Sequence, residues 1–202
     1  RVAPEHFTKN GMTMEDVTEA MLEGYRLGEV QTGLRVNTIL CGMRQLDKSQ
    51  EVAELVVKYR DKGVVSFDIA GPEKGFAPTL QKDTFDYLRR HEIPFTIHAG
   101  EADGPHSIDL AINACGAKRI GHGVRINEDL PDGKIARQVL EEQIHLEVAP
   151  TSNLQTGVAD AKAFGWGLAE FRELTLNAMN AAFIDDKSEY LKRIGAGYDQ
   201  LQ

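Results

Sequence analysis

The sequence predicts an α/β fold, a TIM (β/α)8-type barrel that is incomplete in this chain, and three observations carry that prediction. Short β-branched runs alternate with amphipathic helical segments, the pattern of a parallel sheet. Turns that enter strands are brief, whereas those that leave them are long and rich in Gly and Pro. Ionisable or polar residues recur where successive strands end, which is where a barrel builds its site.

The elements follow in order. A helix is expected from residue 13 to about 27, opened by Thr13 with Asp16 three positions on, as in a capping box. Strands are expected at 34–40, 64–69, 94–98, 119–121 and 145–149, rich in Val, Ile and Phe. Between them, Val52, Leu55, Val56 and Tyr59 recur at helical spacing, and Ile108, Ala111, Ile112 and Cys115 repeat it. Another helical run covers 168–183 and ends before Asp185-Asp186, a solvated helix terminus. The turns into strands are Lys62-Gly63, Glu92-Ile93 and Ala117-Lys118; the long loops out of strands are 71–78, 99–105, 124–133 and 150–160.

Composition bounds the partners. The 202 residues, 42% hydrophobic and 27% charged, suit one globular domain over 1–202. A net charge of -8 repels a phosphate backbone and an anionic bilayer, so neither nucleic acid nor membrane is an expected partner. No apolar run approaches the ~20 residues of a membrane span, and the first residues lack a secretory core, so a cytoplasmic location is expected. Cys41 and Cys115 are too few for a disulfide framework or a zinc cluster of their own, and read as small buried apolar residues.

The strand ends deliver Asp68, then His98 with Glu101, then His122 between two glycines, then Ser152 with Asn153. A lone strand-end His is ordinarily structural; His98 with a carboxylate three residues on and His122 on the next strand end point instead to chemistry. Flanking glycines let a ligand approach the backbone. Asp68 fits either a site carboxylate or a buried group satisfied by neighbouring amides. His6, His91, His106 and His145 have no comparable context.

These blocks resemble the adenosine deaminase family of the amidohydrolase superfamily: Asp68-Ile69-Ala70-Gly71-Pro72-Glu73, His98-Ala99-Gly100-Glu101, Arg119-Ile120-Gly121-His122-Gly123-Val124, and Pro150-Thr151-Ser152-Asn153-Leu154-Gln155-Thr156-Gly157. The stretch from Phe164 to Ala178 is similar to that family's C-terminal helix. The resemblance implies a single Zn2+ bound through His98, with Glu101 protonating the purine ring nitrogen and His122 orienting or deprotonating the attacking water. It makes Gly71 a backbone contact of the purine, with Asp68 and Asn153 near the substrate. A water activated by zinc, its pKa lowered to about 7, would then convert adenosine or deoxyadenosine to the inosine form and ammonia.

The sequence also departs from the family. No two histidines stand two residues apart, so the His-x-His zinc ligands of the family's first strand have no match. The late strand ending in adjacent acidic residues has none either, and Asp185-Asp186 lies in the wrong context to replace it. Five strand units against the eight of a barrel of ~250 residues imply a partial chain, with the first strands and one late strand missing and a junction near residues 158–163. The remaining zinc ligands are expected in those absent segments. Two other functions stay open: a purine-binding barrel that has lost its metal, and a deaminase of adenine or of a modified purine nucleoside. A nucleotide would want several Lys or Arg about its phosphate, and the loops after Gly71, Gly100 and Gly157 are short of them.

Overall fold

Five parallel strands run side by side in chain order: β1 (Thr38–Met43), β2 (Val64–Ala70), β3 (Phe95–Ala99), β4 (Arg119–His122) and β5 (His145–Glu147). The computed structural model describes residues 1–158 and 168–200. Five helices of the strand-bearing unit return the chain between or before strands: α1 (Met14–Thr32), α2 (Ser49–Tyr59), α3 (Lys82–Arg90), α4 (Gly104–Asp109, continued by a π-helical turn over Leu110–Ala114) and α5 (Lys134–Glu141). A sixth, α6 (Pro150–Gln155), follows β5. Sequential parallel strands with a helix on each crossover are the arrangement of a (β/α) barrel, here with five of its strands.

Alternation along the strands decides what faces where. Phe67, Ile69, Phe95, Ile97, Ala99 and Ile120 join one apolar core with Val52, Val56, Phe85, Leu88, Ile108 and Ala111 of the helices. Within it the Phe85 ring meets Phe67 edge to face and lies tilted against Phe95. Ser66, Asp68, Thr96, His98, Arg119, Gly121 and Glu147 occupy the intervening positions, so the opposite face of the sheet is polar. In register, Asp68 pairs with Thr96, His98 with Gly121, and Gly121 with Glu147.

The element boundaries differ most from the sequence reading at α1, β1 and α6. Helix α1 carries the expected capping box, Thr13 accepting from the Asp16 amide at 3.0 Å, but runs on to Thr32 and ends on Gly33 at φ 72°. That extension moves β1 downstream, leaving Leu34 and Val36 exposed in the connection. Residues 150–155, read as loop, form α6 with Pro150 at its start, where a missing N–H costs nothing. Val2 adds a parallel bridge to Leu40 at the β1 edge, accepting from the Cys41 amide at 2.8 Å.

The chain divides into two compact units, residues 1–158 and 159–202. The second unit contains α7 (Leu168–Ala181) and α8 (Ser188–Asp199), tied by Thr175 Oγ1 to Tyr198 Oη at 2.8 Å. α7 stops at Ala181, short of the acidic pair, and Asp186 instead accepts from the amide and hydroxyl of Ser188, the first residue of α8, at 3.0 and 2.7 Å. The expected junction, apart from Val158, and the segment Phe164-Gly165-Trp166 lie outside the described residues. Cys41 and Cys115 are both buried and free; burial pushes the Cys115 thiol up to about 11.

Candidate active site

The carboxyl ends of β2, β3 and β4 and the start of α6 bring five of the six sequence-read residues into one chain of contacts. Asp68, fully buried on β2, accepts from His98 Nδ1 at 3.0 Å. The His98 ring meets the His122 ring edge to face, centroids 5.1 Å apart at 66°. His122 Nε2 lies 3.6 Å from Glu101 Oε2, and His122 Nδ1 is 2.9 Å from the amide of Asn153. Gly71, three residues beyond Asp68 at φ 100°, is not among these five residues; Gln45 and Met43 crowd the place a Cβ would take.

The local backbone explains why these side chains converge. Gly121 stands beside His98 in the register, and a Cβ there would lie 2.8 Å from His98 Nδ1, 2.9 Å from Cγ and 3.1 Å from Cα. The absent side chain is the room in which the imidazole turns. Gly121→Ala is therefore expected to cost about 1–3 kcal/mol by overpacking and to pull His98 off Asp68; denaturant unfolding measures the first, and an undisturbed midpoint would contradict it. His122 itself adopts φ 65°, a left-handed conformation uncommon outside glycine, which turns it out of the strand's alternation toward Glu101. The Gly123 amide fixes that turn by donating to Ala99 and Gly121 carbonyls, both at 3.0 Å.

Hydrogen bonding settles the tautomers. Burial of His98 works against its charge, but the hydrogen bond and negative charge of Asp68 outweigh it and hold the imidazole above its ordinary pKa. Nδ1 donates to the carboxylate, so in the neutral ring Nε2 carries the lone pair. Asn153 accepts from the Ala149 amide through Oδ1 at 3.2 Å, which turns Nδ2 toward His122. Nδ1 of His122 therefore accepts, and its proton sits on Nε2, facing Glu101.

Asp68 and Asn153, read as lying near the substrate, are both fully buried, and each touches one of the two imidazoles. Asp68 Oδ1 takes the imidazole bond while Oδ2 has no hydrogen-bond partner among the described residues, and Asn153 uses Nδ2 on His122 and Oδ1 on the Ala149 amide. Arg1 Nε lies 3.3 Å behind Asp68, and its guanidinium also meets Glu147, which accepts from Thr96 Oγ1 at 3.0 Å and Arg119 Nη2 at 2.7 Å. Despite its burial, Glu147 is held below the usual carboxylate range by the two arginines. The sequence reading missed three groups beside the site: Arg1, Arg44 and the side chain of Glu73. Buried Arg44 donates to the carbonyls of Phe76, at 3.0 Å, and His98.

As a metal ligand set the described residues are incomplete. The Nε2 lone pair of His98 suits an imidazole ligand with a carboxylate behind it. Among the described residues, however, no three His, Cys, Asp or Glu side chains gather closely enough to hold an ion. A structural zinc needs four ligands and a catalytic one three with water, so one imidazole does not make the centre.

A parallel β/α sheet that collects two imidazoles and two carboxylates at its strand ends belongs to the barrel class in which sites are assembled from several strands. A sequence profile described as adenosine deaminase matches residues 1–163. The chain is 48% identical to adenosine deaminase 1 of Streptomyces coelicolor over 256 aligned positions, covering 100% of this chain and 65% of that protein. It thus spans about two thirds of that relative's length. Among solved structures it is similar to the adenine deaminase of Arthrobacter aurescens, with a TM-score of 0.84 at 18% identity over 98% of this chain and 72% of that one. It is also similar to an amidohydrolase of Burkholderia ambifaria solved with bound Zn, with a TM-score of 0.72 at 17% identity over 99% and 67% of the two chains. The chain belongs to the adenosine deaminase family. No helix among the described residues is long and apolar enough to cross a membrane.

Proposed function

We propose that the protein hydrolyses adenosine or deoxyadenosine to the inosine nucleoside and ammonia. The observation that carries this reading is the convergence of His98, His122 and Glu101, with Glu101 Oε2 3.6 Å from His122 Nε2. Water adds to C6 of the purine while Glu101, in its acid form, gives its proton to the adjacent ring nitrogen. The proton the water sheds restores the Glu101 acid, and the tetrahedral carbon then expels ammonia, the amino group taking the proton of the added hydroxyl as the C–N bond breaks and the C6 carbonyl forms. His122 orients the incoming water through its Nε2, and the Asn153 contact at Nδ1 favours that donor role over a base. Gly71 offers backbone to the purine edge.

We assign His98 one ligand position on a zinc ion, completed by residues outside this chain. The ion would act as the Lewis acid that lowers the pKa of water. The family relationship and the Zn-bound neighbour support this assignment. The relative's alignment spans 256 positions, more than 202 residues can fill, so that protein carries internal sequence with no counterpart here. That gap, and the family match ending at residue 163, support a junction near 158–163. A nucleoside is favoured over a nucleotide because the cations beside the site are engaged: Arg1 by Asp68 and Glu147, Arg44 by two carbonyls, and Arg125 by Glu128 and the Ala102 carbonyl.

The test follows ultraviolet absorbance as the intact protein meets adenosine, deoxyadenosine, adenine and AMP. Nucleoside turnover is expected to vanish when a chelator strips the metal and to return with added zinc. Unchanged turnover after demonstrated metal loss, or a preference for adenine or AMP, would overturn the reading.

A further inference from the structure

Glu73 sits in the loop after β2 and is almost completely buried, at 5% exposure. Its carboxylate accepts from four consecutive backbone amides of the next loop. Gly100 donates to Oε1; Glu101, at 2.9 Å, Ala102 and Asp103, at 3.2 Å, donate to Oε2. Gly100 and Gly104, at φ 68° and 72°, bend the segment so that successive N–H groups point inward, making an anion-binding concavity. Its occupant is a side chain of this same protein.

The loop so held carries Glu101. Arg44 ties the loop after β2 to the end of β3 through the Phe76 and His98 carbonyls. Burial lowers the Arg44 pKa, opposed first by attraction to Glu73. A buried anion thus anchors one loop onto the other, and a buried cation anchors the first of them to β3 just before the second begins.

We propose that Glu73 is a positioning residue for the reaction: its ionised carboxylate sets the backbone of residues 100–103 and so the placing of the Glu101 carboxyl. The proposal rests on the reading of Glu101 as proton donor. Charge matters here more than size. A Gln at 73 keeps the volume but presents an NH2 group to amide donors, leaving buried N–H groups without acceptors. An Asp keeps the charge on a shorter arm.

The experiment compares Glu73→Gln and Glu73→Asp in the intact protein. Glu73→Gln is expected to lower kcat for adenosine by about 10²-fold, the scale of a slightly misplaced catalytic group, with KM changed less than about threefold. Glu73→Asp is expected to lose less, an ordering that loss of packing volume would reverse. In a Glu101→Gln background, Glu73→Gln should add less than about threefold, since both act through one group. Hydrogen exchange at amides 100–103 should quicken by at least about tenfold in Glu73→Gln. Unaltered exchange, the reverse ordering, or a full further loss in the Glu101→Gln background would overturn the proposal. If the wild-type protein fails to turn over adenosine, the functional reading falls, while the exchange measurement still decides whether Glu73 holds the loop.

Discussion

Glu101→Gln is expected to lower kcat for adenosine by about 10²–10⁴-fold, the range a positioned general acid contributes. The amide keeps the shape and the contact with His122 but has no proton of suitable acidity to give the ring nitrogen. Glu101 is partly exposed, so the fold should tolerate the change within about 0.5 kcal/mol. Steady-state kinetics beside thermal unfolding separate the two effects. A variant retaining more than about a tenth of wild-type kcat would remove Glu101 from the chemistry.

The reason this residue could be read from sequence is spacing. His98 and Glu101 lie three residues apart at a strand end, and His122 follows at the next, so local order carries most of the site. The sheet was legible for the same reason: the apolar runs of β2 to β5 fall within two residues of expectation at either end. β1 was less legible because Gly42 and Met43 look like poor strand residues. A Cβ on Gly42 would lie 2.9 Å from Ser49 Oγ and 3.2 Å from Phe67 Cζ, so the glycine answers to tertiary crowding rather than propensity.

What the sequence concealed is the support behind the site. Glu73 meets amides of another loop, Arg44 meets two carbonyls, and Arg1 reaches Asp68 and Glu147 from the chain's first residue. Such contacts have no period and no fixed spacing, because they depend on how adjacent βα loops fold over each other. For Asp68 the sequence left a site carboxylate and a buried, satisfied group both open, and for Asn153 it gave no sign of a contact with His122; burial and imidazole contact are what the structure adds.

Asp68→Asn tests that buried support where it bears on the metal. The carboxylate is acceptor-only, which forces the His98 proton onto Nδ1 and leaves Nε2 free to bind. An amide at 68 can instead donate to Nδ1, moving the proton to Nε2, where it blocks coordination. It also removes the charge beside Arg1, so the guanidinium must rely on Glu147 alone. Loss of a carboxylate behind a metal-binding histidine typically costs 10–100-fold in affinity or activity, and a fall of about that size in zinc affinity is expected here. Zinc titration of the stripped protein measures it, with turnover partly restored at high zinc. A wild-type zinc affinity in this variant would show that Asp68 only fills space beneath the imidazole, and His98 would lose its claim to a metal-ready nitrogen.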